Sequence, residues 1–291
     1  SPRAPMFSLT RSGFDMRLAR LLFAAASGIL LMMCAPGMLV AQDAATQNAA
    51  TQNAATQNAA APKNVASAGG ADQRLFYVAG EAVMLYNTPD ETRPVQRLEV
   101  TTPVHRLRCA DDWCEVRTDD GKTGYLPKPA ISNVWIRASK EDRRVYLYRG
   151  THLLKTFNAD FGYNAFSDKE RRGSQRLRDH WRTPEGQFYV VRRNPNSQFY
   201  KALVLNYPTA SDARRGYKNG LISRSERDAI VRAEEGMRMP PMNTELGGWV
   251  EIHGDGTGAA TNWTQGCVAV TNSDMNTLWW WAKVGTPVLV E

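Results

Sequence analysis

The stretch 261-TNWTQGCVAVTN-272 decides how this chain is read. It carries the one cysteine in the last half of the sequence, set directly behind Gly266. Fourteen positions upstream stands a histidine, in 251-EIHGDG-256. Cys267 is either a small buried hydrophobe that follows a turn or a nucleophile whose base is His253. The second reading needs a thiol, a base, something to orient the base, and donors for an oxyanion. His253 ends the apolar run 248-GWVEI-252 and opens a glycine-rich loop, so its ring sits at a strand end. The thirteen residues between them can return Cys267 to its side. Gly266 lets the backbone turn tightly, which leaves the N–H groups of Gly266 and Cys267 to face a developing negative charge. An imidazole beside a thiol favours thiolate, the attacking species.

Outward from this stretch the chain alternates apolar and polar residues in short runs. Among these, 134-VWIRASKEDRRVYLYRGTHLLKTFNADFG-162, 186-GQFYVVRRN-194, 202-ALVLNYP-208 and 286-TPVLVE-291 predict strands. Two segments predict helices: 223-SRSERDAIVRAEEG-236, with Ser223 as cap and Glu226 three residues on, and 273-SDMNTLWWWAKV-284, with Ser273 as cap. Six further runs between Leu75 and Lys128, with turn chemistry at 89-PDET-92, 110-ADD-112 and 119-DDGK-122, predict a small β-barrel. The expected fold is therefore mainly β, with a few helices.

The chain has 291 residues, is 43% hydrophobic and 22% charged, and carries a formal net charge of +7. It has room for about two soluble domains. Between Arg137 and Arg238 stand 22 Lys or Arg against 12 Asp or Glu, most of them read as a solvated face. No helix-turn-helix, zinc knuckle or phosphate loop accompanies that surplus, so an anionic envelope or wall polymer is the expected partner and nucleic acid is not. His105, His152 and His180 have no cluster at ligand spacing, so neither a metal nor another cofactor is expected. The triple tryptophan at 279–281 reads as packing, and Arg182 as structural.

The first residues predict a compartment. From Met16, 16-MRLARLLFAAASGILLMMCAPGMLVAQ-42 joins a positive flank to an uncharged apolar run, the pattern of a secretory signal. Leu39-Val40-Ala41 fits cleavage before Gln42; left uncleaved, the run is long enough to span a bilayer as an anchor. Met33 is bulky for a lipoprotein reading of Cys34. Residues 1–41 are thus upstream residues and signal, and 42–73, with its repeat 45-ATQNAATQNAATQNAA-60, a flexible tether without large apolar residues. The expected location is the periplasm or cell envelope. An exported chain meets oxidising conditions, so Cys109 and Cys114 are expected to bond across a hairpin.

Two resemblances follow. Residues 80-GEAVMLYNTPDETRPVQRLEVTTPVHRL-107 and 111-DDWCEVRTDDGKTGYLPKPAIS-132 resemble the bacterial SH3-like domain, placing it over 74–132. Residues 133–291 resemble the L,D-transpeptidase catalytic domain, through 143-RRVYLYRG-150, 161-FGYNAFSDKERRG-173, 182-RTPEGQFYVV-191, 194-NPNSQFYKALVLNYP-208, 243-NTELGGWVEIHG-254 and 262-NWTQGCVAVTNSDMNTLW-279. The resemblance implies that Cys267 attacks a peptidoglycan stem peptide between a diamino acid and terminal D-alanine. It makes His253 the base and the Gly254 carbonyl its orienter, and it draws Asn262, Trp263, Thr264 and Tyr163 toward substrate. An amine or water then resolves the thioester, giving a transpeptidase or a carboxypeptidase-type hydrolase; a wall-binding protein with a retired site is the remaining alternative. Gln265 and Ala269 stand where the family motif usually has a second histidine and an arginine, which leaves the carboxylate contact open. The insertion 220-GLISRSERDAIVRAEEGMRMPP-241 is expected to reshape the cleft. The short joint from Ile131 to Val134 predicts that the barrel packs on the catalytic domain and forms one cleft wall.

Overall fold

The structure, a computed structural model, describes residues 74–291. The signal reading of 1–41, Cys34 and the tether reading of 42–73 lie outside the described residues. Seven short strands come first: β1 (Leu75–Val78), β2 (Val83–Tyr86), β3 (Pro94–Leu98), β4 (Pro103–Ala110), β5 (Trp113–Thr118), β6 (Thr123–Pro127) and β7 (Ile131–Ser132). They form one sheet in the order β3-β2-β6-β5-β4-β1-β7. Its outer strands do not pair with each other, so the small barrel is open rather than closed. Val78, Leu85, Val104, Val116 and Leu126 fill it from alternate strand positions. Cys109 and Cys114 stand opposite each other on β4 and β5 and are bonded. The turn between these strands is Asp111–Asp112, with Asp111 in the left-handed region that aspartate tolerates (φ 51°).

The second domain adds β8 (Val134–Ser139), β9 (Arg144–Arg149), β10 (His152–Asn158), β11 (Phe161–Gly162), β12 (Gly186–Ser197), β13 (Tyr200–Leu205), β14 (Glu251–His253), β15 (Asn262–Thr264), β16 (Val268–Ala269) and β17 (Pro287–Val290). Eight of them make a sheet in the order β10-β9-β8-β17-β12-β13-β14-β16, and β11 pairs with β15. Helices α1 (Ala210–Lys218), α2 (Arg224–Glu235) and α3 (Asn272–Trp281) complete it. Ile136, Leu147, Val190, Leu203, Ile252, Val268 and Leu278 share one buried core.

The helices depart from the sequence expectation in two ways. α1 went unread: its polar face and Gly216 hide it, yet Thr209 and Asp212 close a capping box at its start. Gly216 is there for close approach, because a Cβ would fall 2.5 Å from Leu246 Cδ2. α3 starts earlier than expected, since Thr271 rather than Ser273 accepts from the Asp274 amide. α2 does begin at Ser223 with Glu226 closing its box.

β1 ties the two domains together. Phe76 and Val78 point into the barrel core, while Leu75, Tyr77 and Ala79 pack on Trp135 of β8. Tyr77 donates its hydroxyl hydrogen to the Val134 carbonyl at 2.7 Å, and the Gly80 amide donates to Val284 at 2.8 Å. Burial pushes the Tyr77 phenol up to about 12. The barrel thus packs on the second domain, as the short joint predicts. It does not form a wall of the cleft: no barrel residue lines it among the described residues. β1 meets the β8–β17 part of the large sheet, and the cleft lies at the β14–β16 end. The insertion 220–241 does not line the cleft either; Ile222 and, from α2, Ile230 pack against Ala213 of α1, and the cleft lining resumes just beyond it at Met242 and Asn243.

Candidate active site

β14 and β16 run parallel, with Ile252 beside Val268 and His253 beside Ala269. One step back along that register sets Cys267 beside Glu251. Side chains alternate across a strand. Val250, Ile252 and Val268 therefore enter the core, while Glu251, His253 and Cys267 share the opposite face. That face opens into a cleft of about 920 Å³, lined by Cys267, His253, Glu251, Trp249, Trp263 and Lys169 among others.

His253 is only 2% exposed. Its Nδ1 lies 2.6 Å from the Gly254 carbonyl, and its ring stacks on Phe199 at 4.5 Å. A carbonyl only accepts, so Nδ1 carries the proton and Nε2 keeps its lone pair. Burial pushes the imidazole below its ordinary value, partly offset by the Gly254 carbonyl and by Asp255 and Asp160. The neutral, basic form is the resting form.

Cys267 is half-buried. Its thiol donates to the Trp249 carbonyl at 3.4 Å rather than to His253. Burial pushes the thiol up to about 12, with the Glu251 carboxylate adding to the rise and the Glu251 backbone hydrogen bond and Lys169 opposing it. The resting pair is therefore thiol and neutral imidazole, not the thiolate expected from proximity alone. The thiol proton must leave its bond to the Trp249 carbonyl before His253 can take it.

The turn at Gly266 adopts φ +130°, and a Cβ there would meet the Arg182 carbonyl at 2.6 Å, so only glycine fits. The Gly266 amide donates to Thr264 Oγ1 at 3.2 Å, which removes it from the expected oxyanion donors. The Cys267 amide has no partner among the described residues. Thr264 also donates to the Cys267 carbonyl at 2.7 Å. It is 3% exposed, lines the cleft, and holds the turn through these two bonds. Trp263 lines the cleft, but Asn262 and Tyr163 do not. Tyr163 continues the β11–β15 pairing through its amide and leaves its ring in solvent.

Sequence reasoning missed three residues. Asp160 is fully buried and accepts from the amides of Thr257 and Thr261 at 2.6 and 2.8 Å and from Trp263 Nε1 at 2.9 Å. Burial pushes its carboxyl up, but these bonds outweigh it and hold the group below the usual carboxylate range. It staples the loop that joins base to nucleophile. Glu251, 7% exposed, is raised to about 7 by burial. Lys169, 4% exposed, is lowered to about 8 by burial. Neither forms an ion pair among the described residues. Arg182, by contrast, pairs with Asp179 and donates to two carbonyls, the structural part expected of it. Trp279 and Trp281 pack against the core, while Trp280 is exposed.

A mainly β fold behind an SH3-like sheet carries a thiol and a locked imidazole on one strand face. The chain belongs to the L,D-transpeptidase catalytic domain family, YkuD, whose family model matches residues 133–290; a bacterial SH3 domain matches residues 79–133. YafK of Escherichia coli K12, whose name provisionally calls it an L,D-transpeptidase, is 33% identical over 94 residues, 30% of this chain and 35% of YafK. The match thus spans about a third of that relative. Among solved structures, an L,D-transpeptidase from Xylanimonas cellulosilytica is 17% identical with a TM-score of 0.33, covering 55% of this chain and 61% of that one. Bd1075 of Bdellovibrio bacteriovorus is 23% identical with a TM-score of 0.36, covering 55% and 48%. Among the described residues no helix is long and apolar enough to cross a membrane.

Proposed function

We propose that this chain is an exported enzyme that makes 3→3 cross-links in peptidoglycan. The observation that carries the reading is the Gly254-locked imidazole of His253 on the same strand face as Cys267. His253 Nε2 takes the thiol proton as sulfur attacks the carbonyl of the diamino acid in a stem tetrapeptide. The Cys267 amide supports the oxyanion. As the C–N bond breaks, His253 returns the proton to the leaving D-alanine nitrogen, leaving a thioester. The side-chain amine of a neighbouring stem then attacks, forming an amide and restoring the thiol. Export rests on the signal read from Met16 to Ala41.

A second reading has water as acceptor, giving an L,D-carboxypeptidase or an enzyme that frees wall-linked protein. Glu251 is compatible with it, since a carboxyl raised to about 7 in the same cleft is a base that serves water as well as an amine. Purified full-length protein incubated with disaccharide-tetrapeptide separates the two by product mass. Cross-linked dimer supports the transferase, tripeptide alone supports the hydrolase, and unconsumed substrate would leave a wall-binding protein.

A further inference from the structure

We propose that Lys169 grips the free carboxylate of the residue that the enzyme releases, so that substrates ending one residue beyond the attacked carbonyl are selected. The proposal rests on the reading of Cys267 as nucleophile. Four observations lead to it. Lys169 lines the same cleft as Cys267 and His253 and is 4% exposed. Its ammonium has a single hydrogen bond, to the His180 carbonyl at 3.3 Å, and no ion pair among the described residues. Two glycines make room beside it: a Cβ on Gly266 would lie 3.3 Å from Nζ, and one on Gly247 would lie 3.1 Å from Cε. Ala269, where the family motif usually carries arginine, is fully buried and supplies no charge.

A buried ammonium without a counter-charge is costly, and such groups persist where a ligand completes them. The nearby carboxylate, Asp168, is already occupied: it accepts from Arg215 at 3.1 Å and from the Glu185 amide at 2.8 Å. The other cation lining the cleft, Arg172, is exposed and donates Nε to the Thr244 carbonyl at 3.1 Å. Lys169 is lowered by burial only to about 8, so it is mostly charged at neutral pH. In a leaving amino acid the carboxylate carbon stands three bonds beyond the attacked carbonyl. An ammonium beside Gly266, next to the nucleophile, is at the right remove for it. A transient oxyanion is a poorer partner, because it would leave the ammonium unpaired in the bound ground state.

The test compares disaccharide-tetrapeptide bearing a free terminal carboxylate with the same compound as its terminal carboxamide, using full-length protein. Wild type should favour the carboxylate by about 10–100-fold in kcat/KM, the range for a charged hydrogen bond. Lys169→Met should lose that preference by slowing only the carboxylate substrate, mainly through KM. Lys169→Arg should restore part of it. Equal losses on both substrates in Lys169→Met would overturn the proposal and make the lysine a general support for thiolate or oxyanion. A wild type indifferent to amidation would overturn it without any variant, even if Lys169→Met fails to fold. Wild type that turns over neither substrate and gains no acyl mass on Cys267 would remove the underlying reading, a result distinct from either.

Discussion

In the SH3-like domain, opposite charges meet at the surface: Arg97 with Glu99, Arg108 with Glu115, Lys122 with Asp120. In the catalytic cleft, Lys169 and Glu251 are buried beside Cys267, and neither has an ion-pair partner among the described residues. Exposed pairs add little to stability and ask little of the fold. Unpaired buried charges cost stability, and a protein keeps them where they act on something else. Here each acts on the same sulfur, with opposite sign. The barrel contributes a docking face and the cleft the chemistry.

The largest effect expected from that contrast is loss of turnover. Cys267→Ala should abolish product formation in the muropeptide assay, and His253→Ala should cut it by roughly 10² or more, the usual loss of general-base help. Full activity in Cys267→Ala would end the nucleophile reading.

Next comes the docking face. Trp135 is fully buried, stacks on Tyr148 at 4.3 Å and donates Nε1–H to the Gly150 carbonyl at 2.7 Å. Trp135→Ala should cost about 3–5 kcal/mol in urea unfolding. At temperatures where the variant stays folded, kcat on soluble substrate should be unchanged. A kcat that drops with stability would mean that the barrel contributes to the cleft after all.

Glu251→Gln probes the other side of the contrast. The Glu251 carboxyl titrates near 7 in the fold against 4.5 as its ordinary value. Between these values the folded state binds more protons than the unfolded one, so stability falls as pH rises through that window. The variant should remove this decline and be more stable above pH 7 by up to about 3.5 kcal/mol, because each tenfold change in proton affinity is worth about 1.4 kcal/mol. It should also speed alkylation of Cys267 at pH 8–9, because a negative neighbour that disfavours thiolate is gone. Unchanged pH dependence in denaturant unfolding would contradict the burial of this charge. The smallest effect is expected at the surface, where Arg108→Gln should leave Tm and kcat unmoved. A clear loss there would break the comparison.

The same contrast explains what was legible in the sequence. Strands such as β5 alternate because one face is core and the other is more open, so the barrel strands could be placed from their pattern; β1, buried on both faces, reads only as a continuous apolar run. His253 and Cys267 were legible from their strand-end and post-glycine settings. Glu251 was not, because alternation in 248-GWVEI-252 reads it as a solvent-facing position, whereas β14 is an inner strand between β13 and β16 and that face lies in the cleft. Lys169 sits in 167-SDKERRG-173, whose charge density reads as a solvated surface. Only the fold turns that one side chain inward. The free Gly266 amide was expected from turn chemistry, and the Thr264 hydroxyl that occupies it becomes visible only in three dimensions.

The central claim is that a neutral, Gly254-locked His253 activates a resting Cys267 thiol. The most direct measurement is the rate at which acyl mass appears on Cys267 from tetrapeptide substrate, followed against pH by rapid quench and peptide mapping. Burial holds His253 below its ordinary 6.5, and the imidazole works when unprotonated. The rate should therefore fall only as pH drops below that value, and this limb should vanish in His253→Ala. A rate that instead climbs toward the thiol range near 12, or a limb that survives in His253→Ala, would contradict it.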